Sequence, residues 1–401
     1  MSPTRIDSHR ATVALPDATL VLPQDASVTL DESWSPYAQG RLTLVTPDDL
    51  DQLDPREGGR CTITLTRKFG NSLLTSMLTA LFGSGTTASL TMAYGAGLTS
   101  AISAVYGHVW TAGETRRNQS RTFDLGIRQR EITTAGTVEL ALSSDEALLQ
   151  DFAPFGSPDY DGAIWYAGPV GVVATLAELC QWAVDLVSPG ATFAPVVRDF
   201  DISSNYVVTV PAVGDGYPWM AGKSAWDFLT PFLELASLRL WCDETRVWHL
   251  TETVYDTPGS LAVTAGVDLV DASDQVSRDD DGWADAVVVV YRSTDAVTGV
   301  NLIGHDSAPE PLSWPVGGRT LTIEHNDTPY PGPGAAAGIL ERSLLRGRNV
   351  PATAISDYTA NPGIPTTVTP LTGDPYVGNL RAVTWDAARA EMNLELRNVE
   401  A

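Results

Sequence analysis

Lysine is almost missing from this 401-residue chain. Only Lys68 and Lys223 occur, so nearly all of the 25 basic residues are arginine, set against 49 acidic ones and a net charge of −24. So acidic a surface disfavours adhesion to nucleic acid or anionic lipid. It is compatible with a wall past which a polyanion slides without sticking. The basic-aromatic stripe that nucleic-acid binding needs is absent. Cysteine is scarce too. Cys61, Cys180 and Cys242 are odd in number, far apart and in apolar contexts, which argues against a disulfide framework or a zinc site and predicts three small buried hydrophobes. The five histidines, His9, His108, His249, His305 and His325, form no HxH or HExxH set, and His249 reads as a partly buried strand residue. There is no P-loop, GxGxxG or GxSxG. No apolar run reaches the roughly 18 residues of a membrane-spanning helix. The opening MSPTRIDSHR lacks the apolar core of a signal peptide, so synthesis and folding in a bacterial cytoplasm are expected.

Carboxylates are abundant enough that any pair could be proposed as a glycosidase dyad, which empties that signal without geometry. Between Asp271 and Asp285 lie six Asp and one Arg. Within that stretch Asp279-Asp280-Asp281-Gly282 invites a calcium reading. With Gly282 at the EF-hand turn position the twelfth residue would be Val288, so the bidentate acid is missing and a solvated acidic turn is expected. No catalytic, cofactor-binding or metal-ligating residue is therefore assigned.

What the chain has is 34 Gly, 26 Pro and abundant Thr and Val, with 43% hydrophobic and 18% charged residues. That describes a folded, β-rich chain with many turns and room for two or three domains. Residues 12–66 alternate as a strand ladder: Val13 and Leu15, Leu20 and Leu22, Val28 and Leu30, Leu42 and Leu44, then Cys61, Ile63 and Leu65. Residues 69–107 carry no charge and read as an insertion that packs on a neighbouring chain or lids its own domain, with membrane contact as a third reading. Phe123, Leu125 and Ile127 are answered by Val138, Leu140 and Leu142, and Ser144 is placed to cap a helix over 145–151. The Pro/Gly/Asp stretch 153–168 is the best domain boundary. Residues 175–187 form an amphipathic helix with Leu176, Leu179, Cys180, Ala183 and Leu186 on one face. A strand is expected over 207–210 and a loop over 214–222. The C-terminal third shows strands at 261–263, 269–270, 286–291, 321–323, 366–368, 380–385 and 392–396, and a helix over 335–346 closed by Gly347.

The stretch that organises the chain is 223–250, KSAWDFLTPFLELASLRLWCDETRVWHL. Ser224 is an N-cap candidate, and Trp226, Leu229, Leu233 and Ala236 share a face that Phe228, Phe232 and Leu235 widen. Pro231 either kinks this helix or marks its first turn. Then the period changes to two: Leu238, Leu240 and Cys242 alternate with Arg239 and Trp241, Asp243-Glu244-Thr245 turns, and a return strand follows. This wording resembles the central domain of phage tail hub proteins, a family that includes baseplate hubs, late-control proteins of contractile tails and the front half of type VI secretion spikes. Their pattern runs roughly W-x-F-L-x-x-L-A-x-x-x-G-L-x-L-x-x-D. The departure is Ser237-Leu238, where many members have Gly.

Other stretches strengthen the resemblance. DESWSPYAQGRLT with LDPREGGRCTIT, and VELALSSDEALLQD, look like the opening barrel of minor tail proteins from actinobacterial phages. DDDGWADAVVVVY resembles the family's entry to a second barrel, and the closing VTWDAARAEMNLELR matches its last strands. The resemblance implies a mainly β protein with an α+β part: two β-barrel domains, 1–155 and 259–401, flanking a central α/β domain, 156–258. It implies a structural protein of the tail tip or baseplate, not an enzyme, with no cofactor. The implied assembly is a homotrimeric ring that joins a sixfold tube to a threefold tip around the DNA path. Its implied partners are distal tail or tube subunits, a tape-measure protein and tip or receptor-binding proteins, with DNA passing unbound. The alternative from another class is a cell-wall carbohydrate-binding or carbohydrate-active β-protein, which the eleven Trp would suit.

Overall fold

A computed structural model describes residues 6–33, 35–69, 118–153, 163–166, 175–196, 198, 200, 217–220, 222–253, 257–277, 282–294, 298–310, 318–346 and 348–400. The uncharged stretch beyond residue 69, the strand expected over 207–210, and the Asp279–Asp281 turn lie outside the described residues.

The N-terminal strands are β1 (Ile6–Ala14), β2 (Leu20–Val21), β3 (Asp25–Asp31), β4 (Ala38–Val45), β5 (Arg60–Phe69), β6 (Asn118–Ile132) and β7 (Thr137–Ser143), followed by helix α1 (Glu146–Asp151). The middle of the chain holds β8 (Ala163–Tyr166), α2 (Leu176–Val187), β9 (Thr192–Phe193), β10 (Tyr217–Met220), α3 (Ala225–Ala236), β11 (Leu238–Cys242) and β12 (Val247–Glu252). Then come β13 (Leu261–Thr264), β14 (Leu269–Ala272), β15 (Gln275–Val276), β16 (Ala286–Thr294), β17 (Asn301–Ala308), β18 (Thr320–His325) and α4 (Ala335–Leu344). The chain closes with β19 (Arg348–Ile355), β20 (Pro365–Thr369), β21 (Tyr376–Asp386) and β22 (Glu391–Glu400). The protein is mainly β, as its turn-rich, β-branched composition requires.

The N- and C-terminal strands share one 14-stranded sheet, whose main path runs β14-β19-β22-β21-β3-β4-β7-β6-β5-β1-β2. The join is antiparallel: residues 382–386 of β21 pair with 27–31 of β3. The earlier part of the same β21 pairs instead with β20. One strand thus stitches two strand sets together. Period-2 alternation explains which side is buried: β3 and β4 turn Ala26, Val28, Leu30, Leu42 and Leu44 inward. Those residues join Ile63, Phe123, Trp385 and Leu394 in one core that draws on both ends of the chain. Each buried Val, Leu, Ile or Phe among them contributes about 1.5–3 kcal/mol. Among the described residues this sheet keeps open edges at β2 and β14 and does not close on itself.

The middle unit has its own core. Helices α2 and α3 pack over the β11–β12 hairpin, which β9 extends in parallel. Thr175 and Glu178 form a capping box at α2, and Ser224 Oγ accepts from Asp227 N–H at 3.0 Å to cap α3. Pro231 lies inside α3, past its first turn, so it does not mark the start of the helix. Trp219 stacks on Phe228 with ring centroids 5.2 Å apart. Ser237 ends α3 in the left-handed region, φ 53°, the conformation for which Gly is favoured.

The third unit is a separate three-stranded sheet, β17-β16-β18, covered by α4. Asp306 of β17 accepts from Gly334 and Ala336 N–H at 2.9 and 2.8 Å, so the cap of α4 comes from another element.

Four local expectations need correction. Leu20 and Leu22 alternate as a strand should, yet they are 74% and 59% exposed, because β2 is a short edge of the sheet. Leu186 is exposed at the end of α2, and Val184 takes the buried place. Ser144 does not cap α1; Asp145 holds the cap position and the Ser144 hydroxyl bonds the Glu146 carboxylate instead. The loop expected over 214–222 contains strand β10, paired with β8.

Candidate functional site

The three units meet around one cavity of about 280 Å³. The large sheet supplies Glu32, Arg381 and Arg397; α3 and β11 supply Trp226, Glu234 and Arg239; the end of α4 supplies Arg342 and Arg346. Five of the chain's 25 basic residues thus line one hollow beside two carboxylates, in a protein that is otherwise strongly acidic.

The arginines differ in what holds them. Arg397 is nearly buried and pairs with Glu32, its Nη2 donating to Oε2 at 3.2 Å. Burial pushes the Glu32 carboxyl up, and the Arg397 hydrogen bond and charge oppose that push. Arg381 pairs with Glu395. Arg239 donates to the Asp31 carbonyl at 3.4 Å and lies 5.5 Å from the Tyr37 ring centre. Arg346 lies so close over Gly282 that a Cβ there would overlap its guanidinium. Glu234 of α3 already shares a 2.7 Å hydrogen bond with His325. Among the described residues no carboxylate comes within ion-pairing distance of Arg342. Burial lowers the Arg342 pKa; the Glu234 charge opposes this, and the Arg346 and Arg239 charges add to it.

A second polar cluster clamps the middle unit to the sheet. It is built on the β11–β12 turn. Arg121 of β6, 8% exposed, donates to Glu244 Oε1 and to the Ala360 carbonyl, at 2.8 and 2.7 Å. Its guanidinium also lies 4.9 Å from the Trp385 ring centre. Asp145, 2% exposed, accepts from Arg60 at 2.6 Å and from Arg246 of the turn at 3.0 Å. Beside it Glu146 has no exposed surface; it accepts from Tyr37 N–H at 2.9 Å, and burial pushes its carboxyl up to about 7.

The residues weighed in the sequence fall mostly into structural duties. Cys61, Cys180 and Cys242 are all buried free thiols, and burial pushes the Cys61 thiol up to about 12. His249 stacks on Trp241 at 4.3 Å and bonds Asp243 at 2.9 Å. His9 bonds the Tyr358 hydroxyl, and His305 is exposed on β17. From the acidic stretch, Asp274 pairs with Arg348 at 2.8 Å and Asp285 accepts from Arg319 N–H at 3.0 Å. No cluster of potential metal ligands occurs among the described residues, and none of their helices is long and apolar enough to cross a membrane. Sequence reasoning missed the arginine cavity. The one local sign was the i,i+4 pair Arg342 and Arg346; the other members come from strands far away in the chain.

No protein family and no curated protein matches the sequence. Structural likeness is broader. A tail protein from Neisseria meningitidis MC58 superposes with a TM-score of 0.53 at 11% identity, over 97% of this chain and 96% of that one. The 43 kDa tail protein of prophage MuSo2 from Shewanella oneidensis gives 0.49 at 11% identity, over 96% and 98%. A prophage tail protein from Listeria monocytogenes EGD-e gives 0.45 at 10%, over 97% and 94%. At these identities the likeness is one of fold: this chain has the fold of the Neisseria tail protein along nearly its whole length.

Proposed function

We propose that this chain is a structural hub protein of a phage tail tip or baseplate. Three copies form a ring that joins the sixfold tube to the threefold tip and surrounds the path of the DNA. The observation that carries this reading is the full-length fold likeness to a tail protein, with 97% and 96% of the two chains matched. Two strand sets per chain, one from each end, supply six similar units in a trimer, as a sixfold tube requires. On this reading they correspond to the two barrel domains, 1–155 and 259–401, on either side of the central 156–258. Open edges at β2 and β14 are what a ring of copies would cover. The partners are tube or distal tail subunits, a tape-measure protein and tip proteins, and the chain is carried in the virion of a long-tailed actinobacteriophage. The −24 charge suits a passage that DNA crosses without binding.

The carbohydrate reading finds less support. Trp219, Trp248 and Trp385 are fully buried, so packing already explains them. The deciding measurement is the symmetry of this chain in the assembled tail tip, imaged by electron microscopy. Threefold averaging should resolve it; resolution only under another symmetry would refute the hub assignment.

A further inference from the structure

We infer that the cavity at the meeting of the three units is an anion-recognition pocket that accepts a carboxylate on an apolar stem, as a protein side chain or chain terminus presents it. The ligand chemistry follows from the lining. Arg239, Arg342 and Arg346 converge from two elements on a hollow where Glu234 is already engaged by His325. Arg342 has no ion pair among the described residues, although it sits at the junction of α3, α4 and the sheet. Guanidinium groups offer forked donors whose geometry fits a carboxylate. Like charges gathered in a partly desolvated hollow repel one another. Burial is the first cause of the lowered Arg342 pKa; the Glu234 charge opposes it, and the neighbouring Arg346 and Arg239 charges add to it. An entering anion relieves the repulsion.

The stem follows from size and from the other walls. A cavity of about 280 Å³ is more than a bare oxyanion fills. Half-buried Trp226 lines it, together with Leu233, Leu238 and Leu345, so apolar surface flanks the guanidinium groups. A nucleic-acid duplex is too wide for such a hollow, and the −24 charge of the chain repels it. The pocket stands independently of ring assembly, so it is tested on the isolated chain.

The probes are 3-phenylpropionate, a carboxylate on an aromatic stem, and inorganic phosphate, at equal ionic strength. The readouts are thermal melting and calorimetric titration of the full chain. Saturating 3-phenylpropionate is expected to raise the melting temperature by about 2 °C or more, and phosphate to change it little. Arg342→Gln should weaken 3-phenylpropionate binding at least about tenfold. Without ligand this variant should melt no lower than the natural protein, because it removes an unpaired charge. Three outcomes would each overturn the inference. They are no response to either probe, an equal response to phosphate, and an Arg342→Gln protein that melts several degrees lower yet still responds. Arg346→Gln provides a second variant, with the same loss of binding expected.

Discussion

Glu146 is a residue whose chemistry burial takes well away from that of a free side chain. It sits without exposed surface between Tyr37 N–H and the Ser144 hydroxyl, with its carboxyl pushed up to about 7 from an ordinary 4.5. A carboxyl whose folded pKa is raised favours the fold most when protonated. Its contribution is therefore complete below about pH 4.5 and lost as pH rises through 7. Glu146→Gln keeps the shape and an acceptor for Tyr37 N–H, and its amide N–H can donate to the Ser144 oxygen, without the charge. It is expected to stabilise the protein by up to about 3 kcal/mol at pH 8, and by little at pH 4.5. Denaturant melts at the two pH values check this; a gain independent of pH would contradict it.

Between elements, the α3–α4 contact turns on two small residues. A Cβ on Gly338 of α4 would run into Ser237 Oγ at the end of α3. Gly338→Ala should cost about 1–3 kcal/mol through overpacking. Ser237→Gly should stabilise by about 0.5–1 kcal/mol, since it removes a side chain from left-handed backbone. The double variant should recover most of the Gly338→Ala loss, which a double-mutant cycle would read as coupling. Simple additivity would mean that the two sites do not touch.

The insertion is also an element-scale matter. Its flanks are paired neighbours, because Lys68 lies opposite Asn118 where β5 meets β6. On the proposed hub reading, replacing 70–117, which holds the uncharged 70–107 together with Glu114, Arg116 and Arg117, by a two-residue Asn-Gly turn should leave a cooperatively melting protein that fails to enter tails, since apolar stretches of this length are seldom left uncovered. Normal tail assembly by the deletion would reject that role.

Strand and helix identities were legible at this scale wherever one face is buried. The Val28-Leu30 and Ile63-Leu65 alternations, the Ser224 cap and the hairpin after Ser237 all reappear in the fold. Leu20, Leu22 and Leu186 misled because periodicity marks a face without showing whether anything covers it. Three of the corrections fall at an edge, a helix end or a cap. At the cap, one hydrogen-bond partner decides the outcome, as the Ser144 hydroxyl does in choosing Glu146 over the helix end.

At the scale of the whole molecule, the arginine cavity was illegible for a different reason. Its residues come from β11, β21, β22 and the end of α4, and no local period relates them. The same holds for the join between β3 and β21. Since that join and the shared core draw on both ends of the chain, the N-terminal strand set should not stand alone. Fragment 1–153 expressed alone is expected to aggregate or to lack a cooperative melt, and co-expression with 257–401 should recover soluble complex. A well-folded 1–153 monomer would show that the two strand sets are independent.

The β3–β21 pairing also sets a timetable for synthesis. Asp31 leaves the ribosome 351 residues ahead of Ala382, which it faces in the sheet. At about 5–20 residues per second, roughly 20–70 s separate the two. For that interval β3 presents an unpaired edge with half of its core missing. The nascent chain must therefore be shielded, or kept dilute, until β21 has emerged. Truncated products from interrupted translation would carry that open edge permanently, which makes them the species most prone to join the wrong partner.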